Sequence, residues 1–103
     1  MVKKLNEMEA RFLELQEIVA DPDLMKDQSR YKEVMQEYSH LSEVVEEYRL
    51  LKKLEEQIKS SRSLVEEAED HEMRDLAREE LRDLEKKKAA VLEELRFLLV
   101  PRD

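Results

Sequence analysis

The feature that most limits what this chain can fold into is the absence of glycine: its 103 residues include no Gly, only two Pro and no Cys. Glycine is the usual source of positive φ in two-residue β-hairpins, phosphate-cradling loops and nucleophile elbows. Without it most enzyme folds lose turns they need, and the Walker loop, the GxGxxG fingerprint and the G-x-S-x-G elbow are ruled out. The lack of Cys removes disulfides and thiolate metal sites and fits a reducing compartment. What remains is rich in Glu, Leu, Lys and Arg, residues that sustain long helices. A chain of this length is expected to form one domain.

Apolar spacing gives the helices. From about Val2 to Ala20, Leu5, Met8, Phe12, Leu15 and Val19 recur at steps of 3, 4, 3 and 4, a heptad stripe. Glu7 and Arg11, four apart, are expected to pair on the solvent side. Pro22 disfavours helical geometry at Asp21 and ends the segment. Leu24 and Met25 then tuck a short turn inward, and Asp27 caps the next helix. That second helix is predicted over about 28–67. Its stripe runs through Tyr31, Val34, Tyr38, Leu41, Val45 and Tyr48, and continues through Leu51, Leu54, Ile58 and Val65 after a short step near Leu51. At 1.5 Å per residue it is roughly 60 Å long, too long for the interior of a compact globule. The acidic stretch 66–72 breaks the pattern and reads as a solvated turn. Asp70 caps a third helix over about 71–99, with Met73, Ala77, Leu81, Leu84, Val91, Leu95 and Leu98 in the seam and Lys88 in one core slot. The predicted fold is all-α. It is a long antiparallel helical hairpin, coiled-coil-like, with a shorter N-terminal helix packed at its base. Residues 1–100 form one helical domain.

The chemistry-bearing residues are few. Only His40 and His71 are present. His40 lies beside a stripe residue and His71 among the carboxylates of the acidic turn, both best read as surface histidines. Carboxylates abound, but a catalytic pair needs a partly dry concavity to separate two pKa values, and a helical hairpin offers none. Tyr31, Tyr38 and Tyr48 at helical spacing are core residues with wet hydroxyls rather than a base-stacking platform. The one basic run, Lys86-Lys87-Lys88, is flanked by Asp83 and Glu85 and reads as a helix face. No enzyme activity, cofactor or metal is expected. With 27 acidic against 19 basic residues and a net charge of −8, partners are expected to be proteins rather than nucleic acid bound over a broad face. No apolar run suits a signal peptide or a membrane span, so a cytoplasmic location is expected.

Three stretches carry more than helical pattern. The opening LNEMEARFLELQEIVADPDLMKDQSRYKEVMQEYSHLSEVVEEYR, the later EEAEDHEMRDLAREELRDLE and the closing LLVPRD resemble the N-terminal domain of bacterial peptide chain release factor 1. DPDLMKDQSRYKEVMQEY and LLVPRD weigh most, because a generic coiled coil does not dictate them; the related factor 2 looks different there. The resemblance covers essentially the whole chain. It implies a fragment of a translation termination factor: a non-catalytic helical arm that contacts the GTPase-associated centre of the large ribosomal subunit. Absent domains would read stop codons and trigger peptidyl-tRNA hydrolysis through a Gly-Gly-Gln loop. Residues 101–103 would begin the hinge to that catalytic region. Implied partners are the ribosome through its stalk-base protein and nearby rRNA, the class II release factor GTPase, and the remaining domains of the same chain. Partner contacts are expected at the hairpin tip: Arg62, Glu66, Glu67, Glu69, Asp70, His71 and Arg74. The apolar end of the third helix is expected to let the isolated fragment dimerise.

Two other classes stay open on the sequence. One is a structural coiled-coil or spectrin-like interaction module without a ribosomal link. The other is the helical tRNA-binding arm of a synthetase, which should carry a basic tip where this one is acidic.

Overall fold

The computed structural model describes residues 1–101. The element order is α1 (Val2–Ala20), a 3₁₀ turn (Pro22–Lys26), α2 (Gln28–Glu67) and α3 (His71–Leu98). None of the described residues lies in a strand, and none has positive φ, so every connection is made without the geometry that would call for glycine. The chain divides into two compact units, Met1–Tyr48 and the part from Arg49 onward, and α2 runs through both.

In the first unit α1 ends where proline requires. Asp21 is extended, with φ −79° and ψ 118°, and Pro22 opens the 3₁₀ turn. The Asp21 carboxylate accepts from the Asp23 backbone N–H at 3.0 Å. Asp27 then accepts from the Arg30 N–H at 3.1 Å and caps the start of α2. Between these two Asp caps the chain reverses, so α1 lies antiparallel to the first half of α2. Cross-helix pairs fix the register. Arg11 meets Glu37, the rings of Phe12 and Tyr38 stack 5.3 Å apart, and the Tyr48 hydroxyl donates to Asn6 Oδ1. The core joins Phe12, Leu15, Leu24, Val34, Leu41 and Val45. Leu24 is therefore a structural plug, whereas its neighbour Met25, expected to tuck in with it, is 71% exposed. Tyr31 is likewise exposed rather than core, because it sits in the first turn of α2 at the margin of the seam. Arg11 turns toward Glu37 and Glu14 instead of Glu7.

The second unit is an antiparallel hairpin of α2 and α3. Its register shows in two ion pairs that run in opposite senses along the helices, Arg62 with Glu85 and Glu55 with Lys88. Leu51, Leu54 and Ile58 on α2 and Ala77, Leu84, Val91, Leu95 and Leu98 on α3 are the buried apolar residues of its narrow seam. The three-residue steps from Tyr48 to Leu51 and Leu54 are accommodated with all three residues buried. Lys88, placed in a core slot by the heptad, is half-buried and extends its ammonium to Glu55, so the stem covers the seam while the charge stays wet. Ser61 fills the slot between Ile58 and Val65 at 3% exposure, and Ala77 is buried on the facing helix. α3 stops at Leu98 with Leu99 as its cap, so Leu99 belongs to the cap rather than to the helix. Of the expected hinge, residues 102 and 103 lie outside the described residues.

Candidate functional site

The turn joining α2 to α3 is built from its own polar groups. Asp70 is extended and its carboxylate accepts from the Glu72 N–H at 3.1 Å, satisfying one of the open donors of α3. Asp70 and Glu72 also place negative charge at the positive end of that helix. From the first turn of α3, Arg74 reaches back and donates to the Ala68 carbonyl at 2.9 Å. A charged donor on an open carbonyl at the end of α2 is one of the stronger local ties available here. These two residues therefore hold the turn itself.

The seven residues expected to meet a partner do not form one face. Arg62 is on α2, pairs with Glu85 at 3.3 Å, and lines a shallow open groove with Glu55, Ile58, Lys59, Ser63, Glu66 and Lys88. Two cations of that groove are paired with carboxylates, Arg62 with Glu85 and Lys88 with Glu55, so it makes a poor anion site. Glu66, Glu67, Glu69 and His71 are all exposed. Glu66 falls on the groove flank and Glu67 a third of a turn away on the other. Among the described residues, no group of three or more His, Cys, Asp or Glu could hold a metal ion.

Three apolar side chains near the turn escape the heptad reading. Leu64 is 48% exposed, Met73 59% and Leu76 67%. Met73, assigned to the seam by its spacing, lies outside it: two successive four-residue steps, from Met73 to Ala77 and from Ala77 to Leu81, carry it off the stripe onto a flank of the helix. Leu64 and Leu76 each sit next to a stripe position, Val65 and Ala77, and an apolar residue one step off the stripe is the signal that could have flagged them.

The clearest electrostatic perturbation lies in the first unit. The Arg11 guanidinium donates two hydrogen bonds of 2.9 Å to Glu37 and one of 3.1 Å to Glu14. Those bonds hold the Glu37 carboxyl below the usual carboxylate range and raise Arg11 further above its already high value. This fork-to-fork pair clamps α1 on α2 and has the character of a structural tie, since both side chains are partly solvated.

The PCRF domain matches residues 8–103. Peptide chain release factor 1 of Listeria welshimeri is 42% identical over all 103 residues, that of Clostridioides difficile 37% and that of Syntrophomonas wolfei 36%. In each case the whole chain is aligned and spans 29% of the relative's length.

Proposed function

The chain belongs to the PCRF domain family, and from that premise we propose that it is the N-terminal helical module of a translation termination factor of the release factor 1 type. It contacts the large ribosomal subunit at the GTPase-associated centre, through the stalk-base protein and nearby rRNA. It lies close to where the class II release factor GTPase acts. Stop-codon reading and peptidyl-tRNA hydrolysis fall to the rest of such a factor, and this module is a non-enzymatic, cytoplasmic part of it. The hairpin end formed by residues 62–74 is the contact region, and residues 95–100 adjoin the remaining domains.

The observation that carries the reading is the match of the whole chain, at 36–42% identity, to release factor 1 relatives. Two features support it. No helix among the described residues is long and apolar enough to cross a membrane. Phe97 and Val100, exposed at 65% and 59% at the end of α3, present apolar surface that further domains or a second copy would cover. The test is competition. Purified chain added in large excess should slow peptide release by an intact release factor 1 on programmed ribosomes. It should release no peptide when added alone. Unaltered release, together with no co-sedimentation with ribosomes, would overturn the proposal. Sedimentation of the chain by itself should show a concentration-dependent dimer, which a concentration-independent monomer mass would refute.

A further inference from the structure

The two flanks of the α2–α3 hairpin are chemically different. In an antiparallel helix pair, each flank of one helix adjoins the same flank of the other, so heptad position assigns every exposed residue to a side. One flank carries Arg62, Glu85 and Glu55, which are engaged in ion pairs across the seam. The opposite flank, near the turn, carries Leu64 on α2 and Met73 and Leu76 on α3, the latter two three residues apart and therefore adjacent. All three are about half exposed or more. Glu67 and Glu80 belong to the same flank, and Glu72 and Glu79 border it; all are exposed. An apolar patch edged by carboxylates has thus been left where the other flank has cross-seam salt bridges.

We propose that Leu64, Met73 and Leu76 form the docking centre of the hairpin, and that its partner is a protein surface presenting an apolar hollow edged by lysine and arginine. Charge decides the class of partner. The chain has a net charge of −8, and the rim of the patch is acidic, so approach to a phosphate backbone is repelled while approach to a basic protein is steered. The apolar centre supplies contact area that is lost to water on docking, and the carboxylates around it set orientation and on-rate, the usual division of labour between the middle and the rim of an interface. Asp70 and Arg74, engaged in holding the turn, serve to present this patch rather than to touch the partner. The inference rests on the ribosomal reading and sharpens it from an acidic tip to an apolar flank.

The test uses the chain on ribosomes, on RNA-free stalk-base protein and on protein-free large-subunit RNA. Leu64→Ser, Met73→Ser and Leu76→Ser combined should weaken binding to ribosomes and to the protein by about tenfold or more. Because the three side chains are already solvent-exposed, the helical melt should stay close to that of the parent chain. Leu76→Lys, at the most exposed of the three, should weaken binding in the same direction and guards against misfolding of the triple variant. Neutralising the rim with Glu67→Gln and Glu80→Gln should weaken binding by about twofold to fivefold and reduce its salt dependence. Binding of the triple-serine and Leu76→Lys chains equal to the parent overturns the inference and leaves the ribosomal reading standing. Rim neutralisation that strengthens binding, with affinity for the free RNA, overturns it in favour of an RNA contact. Failure of the parent chain to bind ribosomes at all removes both.

Discussion

Leu15 offers the sharpest quantitative check of the packing in the first unit. Its side chain is fully buried in the cluster with Phe12, Leu24, Val34, Leu41 and Val45. Leu13, two residues earlier on the same helix, is 50% exposed. Truncating each to Ala makes the same chemical change in two environments. At Leu15, losing three carbons at about 0.8 kcal/mol each removes about 2.4 kcal/mol of transfer free energy. The cavity left among residues held by two helices and the 3₁₀ turn adds to this, for a total of about 3–4 kcal/mol. At Leu13 no cavity forms and Ala is the better helix former, so the change should stay within about 0.5 kcal/mol. Urea unfolding followed by the helical circular dichroism signal measures both. For a chain of this size the Leu15→Ala loss corresponds to a drop in Tm of about 12 °C or more. A loss below about 1 kcal/mol at Leu15, or equal losses at the two positions, would refute the assigned register of α1 on α2.

The helix cap at Asp70 and the ion pair at Glu37 can be tested in the same way. Asp70→Ala removes the cap of α3 and should cost about 1 kcal/mol, while Asp70→Asn, which keeps the acceptor, should cost much less; thermal melts of the two variants separate these outcomes. The Glu37 carboxyl is held low by Arg11, so its stabilising effect is complete above the ordinary carboxylate range and disappears as the pH falls through the lowered value. Exposure limits the effect to about 1 kcal/mol or less. The Tm gap between the parent chain and Glu37→Gln should therefore be constant from neutral pH to about pH 5 and close in strong acid, and a gap that widens on acidification would contradict the assignment.

Much of this protein was determined by local sequence. Heptad spacing, helix-forming composition and the Asp-Pro-Asp stop dictate three helices and their inward faces, since burial must keep to a 3.6-residue period whatever the helix packs against. Leu5, Phe12, Leu15, Val34, Leu41, Leu51, Leu54, Leu84, Val91 and Leu95 are buried as that period requires. Asp27 and Asp70 cap the helices because a short acceptor before a helical run satisfies donors that have no other partner. The tertiary structure decided what happens where a seam ends or narrows. Tyr31 keeps the period yet stays exposed, because it lies in the first turn of α2, where the seam runs out. Ser61 is buried although polar, because its helix position faces the seam. Arg11 bonds Glu37, 26 residues away, in preference to its helical neighbour Glu7, a choice that no local pattern contains. The difference between the two flanks of the hairpin arises in the same way, because a heptad assigns a residue to a side but only the pairing of two helices sets which sides share a surface.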